Sequence, residues 1–194
     1  MENTDTNLML LIKNGDQQAF RELVERHKLS ILNLCLRFTN NKEDAEDLAQ
    51  DVFIRIFQAA SKYEIKAAFT TWLYRITINH CLNYRRRKKI LHFFSLDHSN
   101  NSQNQANYRI PEFTAQERPD SDFETKEVQK YVQQAIQSLP ENQKIVMILS
   151  RYHDLSYKEI ATVLDTTVSA VESRLHRAKE NLRKKLKFVM EEQF

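Results

Sequence analysis

LSYKEIATVLDTTVSAVESRLHRAKENLRKKL, from Leu155 to Leu186, is the stretch whose pattern decides the fold. Ser156 stands three residues before Glu159, the spacing at which each side chain caps the other's backbone N–H and fixes a helix start. Ile160, Ala161 and Leu164 then share one face. Asp165 and Thr166 break the pattern, and Thr166 is expected to cap a second helix that turns Val168, Val171, Leu175 and Ala178 inward. A short helix, a tight turn and a longer helix with a basic outer face make a helix-turn-helix.

Upstream, a helix is expected from about Glu124 to Ser138. Pro140 opens the next, because proline suits a first helical turn, and Ile145, Val146, Ile148 and Leu149 form its buried face. Residues 95–123 (SLDHSNNSQNQANYRIPEFTAQERPDSDF) are rich in Ser, Asn and Gln, hold two of the three prolines and show no period. They read as a flexible polar linker, acidic on balance: Asp97, Glu112, Glu117, Asp120 and Asp122 face only Arg109 and Arg118.

The first half is helical too. Asp16 can cap QQAFRELVERH after the turn at Gly15, and a further helix is expected from about Leu29 to Phe38. After the polar break TNNKED, a helix from about Glu43 to Ala60 repeats Ala45, Leu48, Ala49, Val52, Phe53 and Ile56 at steps of three and four. Its other face carries Asp47, Gln50, Asp51 and Gln58 around an exposed Ile54, a pattern suited to docking a protein. Beyond the loop Ser61 to Ala68 comes a helix from about Thr70 to Phe93. Phe69, Trp72, Leu73, Ile76 and His80 form its expected inward stripe, with Thr71, Arg75, Ile78, Leu82 and Arg86 on the other side. The fold class is therefore all-α: two small helical domains, residues 1–94 and 124–194, on either side of the linker. A single Gly among 194 residues argues the same way, since β folds need many tight turns.

The net charge of +3 hides strong segregation. No acid occurs from Phe69 to Leu96, where Arg75, Arg85, Arg86, Arg87, Lys88 and Lys89 fall, while Glu43 to Asp51 holds five acids and no base. Such blocks point to different partners. The second helix of a helix-turn-helix reads base edges with its early residues. Here Ser169, Ala170, Glu172, Ser173, His176 and Arg177 face outward, and Arg177, Lys179, Arg183, Lys184 and Lys185 can track phosphates. The basic, aromatic helix after Phe69 suits a separated strand, whose bases stack on rings while cations hold phosphate, and Asn79 can read a base edge.

Other classes find little support. Cys35 and Cys81 lie within apolar helical patterns and read as buried thiols, not a redox or metal pair. The six histidines are dispersed, the acidic cluster has no counterpart, and one Gly cannot make a phosphate-binding loop. No catalytic residue, metal site, cofactor or small-molecule substrate is expected. With no signal-peptide pattern and no membrane-length apolar run, the expected location is the cytoplasm, without membrane insertion.

GDQQAFRELVERH, DAEDLAQDVFIRIFQ, FTTWLYRITINHCLNYRRRKK, SLPENQKIVMILSRYHDLSYKEIA and AVESRLHRAKENLRKKL, in this order, closely resemble the sigma-70 family of bacterial RNA polymerase sigma factors, extracytoplasmic-function subgroup. The resemblance implies a protein that docks on core polymerase and directs it to promoters. Asp47, Gln50, Asp51, Ile54 and Gln58 would meet the clamp helices of the β′ subunit. Lys62, Tyr63, Lys66, Thr71, Arg75, Asn79, Arg85 and Arg86 would capture a flipped base of the −10 element and hold the melted strand. Ser169, Glu172, Ser173, Arg174, His176, Arg177 and Lys179 would read the −35 element as duplex. The β flap is a further expected polymerase contact, and an anti-sigma factor an expected inhibitor. The linker would thread the polymerase RNA-exit path.

Two positions depart from the family pattern. Glu172 replaces a usual base; it can accept from a cytosine amino group or pair with His176 or Arg177. Asp165 stands where the turn usually has Gly, which adopts a left-handed conformation more readily. A free-standing helix-turn-helix regulator is the alternative reading, but it leaves the acidic face and the basic aromatic helix unused.

Overall fold

The computed structural model describes residues 4–64, 68–96 and 131–193, and every regular element among them is helical. The chain divides into two compact units, Met1–Ile110 and Pro111–Phe194. Apart from Ser95 and Leu96, which continue a helix, the expected linker lies outside the described residues.

The first unit opens with a helix the sequence pattern did not reveal, α1 (Asp5–Lys13), capped by the Thr4 hydroxyl accepting from the Asn7 N–H at 3.3 Å. It buries Leu8, Met9 and Ile12, and Asp5 binds Arg26 at 3.2 Å and His27 at 2.9 Å. Gly15 turns the chain at φ 92°, a conformation that favours glycine. Asp16 then caps α2 (Gln17–Thr39) by accepting from the N–H groups of Gln18 and Ala19.

The two helices expected between Asp16 and Phe38 are one helix of 23 residues. Glu25 to Lys28 interrupts the apolar stripe without breaking the backbone: the segment holds no Gly or Pro, and Lys28 pairs with Glu25. Asn40, left-handed at φ 54°, ends α2, and the Asn41 side chain caps α3 (Lys42–Ala59). All six residues of the expected α3 stripe are buried.

A 3-10 turn (Ala60–Lys62) follows, and then α4 (Phe69–Leu96). Because α4 packs against both α2 and α3, it buries two flanks. Thr71 and Ile78, expected outward, are therefore buried together with Leu73, Thr77 and Cys81, while Trp72, Ile76 and His80 are only half-buried. Cys35 and Cys81 meet across α2 and α4 with sulfurs 3.8 Å apart. Their mutual hydrogen bond and burial push the Cys35 thiol pKa far up, which leaves it inert as a nucleophile.

In the second unit, α5 (131–137) and α6 (Glu141–Tyr152) flank Pro140, which occupies the position before the first helical residue. Lys144 is buried in α6, where its ammonium donates to the Gln137 side chain at 2.9 Å. The capping box opens α7 (Tyr157–Val163) as expected, and the Ser156 hydrogen bonds hold the Glu159 carboxyl below its ordinary pKa. Ile160 and Ala161 are buried; Val163 completes the face more fully than Leu164. Asp165 does adopt the left-handed conformation, at φ 51°. The cap of α8 (Val168–Gln193) is Thr167, not Thr166: the Thr167 hydroxyl accepts from the Ala170 N–H at 3.2 Å, while the Thr166 N–H is spent on the Ala161 carbonyl at 2.9 Å. The left-handed residue consumes one more position of the turn than the sequence spacing suggested.

Replacing Thr167 by Ala should therefore destabilise α8 by about 1 kcal/mol, against less than about 0.5 kcal/mol for Thr166→Ala. Native-state hydrogen exchange of the α8 amides measures both; equal effects would contradict the assigned cap.

Candidate nucleic-acid and protein interfaces

Burial of one α3 stripe leaves Asp47, Gln50, Asp51, Ile54 and Gln58 exposed on the opposite face, one turn apart. Ile54 is 53% exposed and Phe57, three residues on, is 48% exposed. The Phe57 ring leans on Phe20 of α2, with centroids 5.0 Å apart. Sequence reading missed Phe57; its spacing from Ile54 was the available signal. Together they give the acidic face an apolar centre. The face is also tied to its neighbour: Asp51 meets His80 of α4 at 3.1 Å, and Asp44 meets Lys88 at 2.7 Å. Burial alone would raise the Asp44 pKa, but hydrogen bonds from Lys88 and Tyr84 hold it below the usual carboxylate range.

On α4, Arg75, Asn79 and Arg86 are exposed and Arg85 is half-buried. Arg75, Asn79 and Arg86 follow the four- and seven-residue spacing of one helix face, so a single strand could run along them. Lys62 is exposed in the 3-10 turn at the start of the loop. Two expected strand contacts are not available as surface. Tyr63 is 4% exposed, packed edge-on against Trp72 with centroids 5.2 Å apart and near Phe69. Thr71 is 5% exposed in the helix crossing. Tyr63 belongs to a ring cluster with Phe69 and Trp72, and Thr71 to the buried side of α4. Lys66 lies outside the described residues.

On α8, Ser169, Glu172, Ser173, His176, Arg177 and Lys179 are exposed and Arg174 is half-buried, while Val171, Leu175 and Ala178 are packed inward. Glu172, Ser173, His176 and Arg177 line one shallow open depression. Neither expected ion pair of Glu172 forms. The His176 ring faces Glu180 at 3.6 Å, and Arg177 donates through Nε to the Ser173 carbonyl at 3.2 Å.

Residues 23–90 match the family described as Sigma-70 region 2, and residues 129–182 match Sigma-70, region 4. The RNA polymerase sigma-H factor of Pseudomonas aeruginosa is 32% identical, with 98% of both chains aligned. The ECF RNA polymerase sigma factor SigW of Bacillus subtilis is 34% identical over 91% of this chain and 93% of its own. The ECF RNA polymerase sigma-E factor of Escherichia coli is 32% identical over 94% of each. Among solved structures, CnrH in complex with the cytosolic domain of CnrY shares the fold, with a TM-score of 0.68 at 23% identity over 94% of this chain and 97% of that one. The sigma factor RpoE in complex with the anti-sigma factor NepR, from Bartonella quintana, gives 0.66 at 18% identity over 87% and 96%.

The α3–α4 contact makes a pH prediction. Burial pushes the His80 pKa below its ordinary value, Arg55 and Arg87 push the same way, and Asp51 opposes them in part. Below pH 6.5 the unfolded chain takes up a proton that the folded one resists, so stability is full above that value and falls as pH drops toward the lowered pKa. The urea midpoint of the first unit, followed by Trp72 fluorescence, should fall between pH 7.5 and 5.5, and by less in His80→Gln. An identical fall in both proteins would remove His80 as the cause.

Proposed function

Because the chain belongs to the sigma-70 family of bacterial RNA polymerase sigma factors, in its extracytoplasmic-function subgroup, we propose that α3 seats it on core polymerase while α4 and α8 direct the enzyme to promoters. It is a sigma factor: it binds core polymerase and sets where transcription begins. Residues 1–94 serve as the polymerase-docking and −10 module, and residues 124–194 as the −35 module.

The observation that carries the docking assignment is the pair Ile54 and Phe57, exposed within Asp47, Gln50, Asp51 and Gln58. Apolar side chains set among two acids and two amides suit a partner with basic and polar residues around an apolar centre, and the proposed partner is the clamp-helix pair of the β′ subunit. A regulator acting without polymerase would have no use for this face. Lys62, Arg75, Asn79, Arg85 and Arg86 hold the melted −10 strand, with Tyr63 and Thr71 supporting the scaffold from beneath. Flipping a base costs on the order of a few kcal/mol, which contacts to the captured base and backbone must offset. Ser169, Glu172, Ser173, Arg174, His176, Arg177 and Lys179 enter the −35 major groove, with Lys179 and its neighbours on phosphate. The β flap is proposed as a second polymerase contact for the C-terminal module. Since CnrH was solved with CnrY and RpoE with the anti-sigma factor NepR, an inhibitory protein is also proposed here, acting in the cytoplasm.

Run-off transcription with core polymerase tests the assignment. Asp47→Arg with Asp51→Arg and Ile54→Ala should cut promoter-specific initiation and core binding by well over tenfold, as expected when a charged, apolar-centred contact is reversed. Unchanged initiation would overturn the docking face. Tight footprinting of intact duplex by the free chain, without core enzyme, would favour the free-standing regulator.

A further inference from the structure

We propose that Glu172 is a specificity-determining residue that selects a cytosine in the duplex contacted by α8. This rests on the reading that α8 enters the major groove, and it deepens that reading by naming one base. Glu172 lies in the second turn of α8, five residues past the Thr167 cap. It is exposed and shares its face with Ser169, Ser173 and His176. Early positions on this face are those that reach base edges.

The carboxylate is unengaged within the protein. His176, one turn away, leans instead to Glu180 at 3.6 Å. Arg177 is directed to the Ser173 carbonyl at 3.2 Å. No hydrogen bond or ion pair forms at the Glu172 side chain among the described residues. A bare carboxylate on a helix that also exposes Arg177, Lys179, Arg183, Lys184 and Lys185 opposes phosphate binding unless a donor meets it.

The major groove offers such donors only on the exocyclic amines of cytosine and adenine. Adenine places its N7 acceptor beside the amine. That pair complements an amide, with one donor and one acceptor, but repels the second oxygen of a carboxylate. On its own edge cytosine sets only a C–H beside its amine. The carboxylate therefore fits cytosine better than any other base, and the small Ser169 and Ser173 leave it room to approach.

Holoenzyme assembled from the full chain and core polymerase can be assayed on promoters with a randomised −35 element. Wild type should favour cytosine at one position by roughly tenfold. Glu172→Ala should flatten the preference at that position and leave the others unchanged. Glu172→Gln should move it toward adenine, and Glu172→Lys toward guanine, whose edge carries two acceptors. Replacing the selected cytosine by 2-pyrimidinone, which lacks the amine, should lower wild-type transcription roughly tenfold and leave Glu172→Ala unaffected. A Glu172→Ala profile equal to wild type at every position overturns the proposal, as does a change of equal size on all sequences. If wild type itself ignores the −35 sequence while still initiating, the reading of α8 as a groove helix has failed instead.

Discussion

The seating of α4 between α2 and α3 is the constraint on which the first unit depends. A helix packed on one side has a free half; one packed on two sides keeps only a narrow strip. Leu73, Thr77, Ile78 and Cys81 fill the crossing, with Cys35 meeting Cys81 from α2. Arg75, Asn79 and Arg86 occupy the strip that remains. The functional surface of α4 is thus set by what its packing cannot cover. The same packing gives α3 its sharp division, since its whole apolar stripe is buried and its acidic side is left bare.

Charge segregation adds a second level of organisation. The acidic helix and the basic helix are neighbours, so part of their charge is spent on each other. Asp44 with Lys88 and Asp51 with His80 join α3 to α4 along one seam. Exposed pairs of this kind contribute little to stability, roughly 0–1 kcal/mol each. Their larger effect is on position: they hold two elements with opposite tasks at a fixed spacing, while Asp47 stays exposed outside the seam. Because burial pushes the His80 pKa down, its imidazole meets Asp51 above pH 6.5 as a neutral hydrogen-bond partner, which orients that carboxylate without cancelling its charge.

Much of this was legible in the sequence because helices with a single buried face advertise it. The α3 stripe, the capping box of α7 and the inward residues of α8 follow directly from spacing. The failures share a cause. Periodicity assumes one buried face, and so it placed Thr71 and Ile78 outside when α4 buries two flanks. It treated Tyr63 as loop surface, although Trp72 and Phe69 draw its ring inward from a distance in sequence that no local pattern can span. It cut α2 in two where polar residues interrupt the stripe, and it passed over α1, whose apolar residues run unbroken from Leu8 to Ile12 and so show no helical period. The shift from Thr166 to Thr167 as cap depended on a backbone conformation at Asp165 that side-chain chemistry alone disfavours.

That turn bears on recognition. In a helix-turn-helix the angle between the two helices fixes how far the second enters the groove. Here the angle is held by a left-handed Asp165, the Thr166 N–H on Ala161 and the Thr167 cap, all backbone-directed contacts that make no use of the outer face of α8. The inner face is fixed separately, by Val171, Leu175 and Ala178. The outward positions are therefore under no packing obligation. A carboxylate at Glu172, unfavourable on electrostatic grounds in a cationic helix, carries no folding benefit visible in its contacts, so its account must lie with what the helix meets. Scaffold and sequence preference are separable in this module because the atoms that set one are not those that set the other.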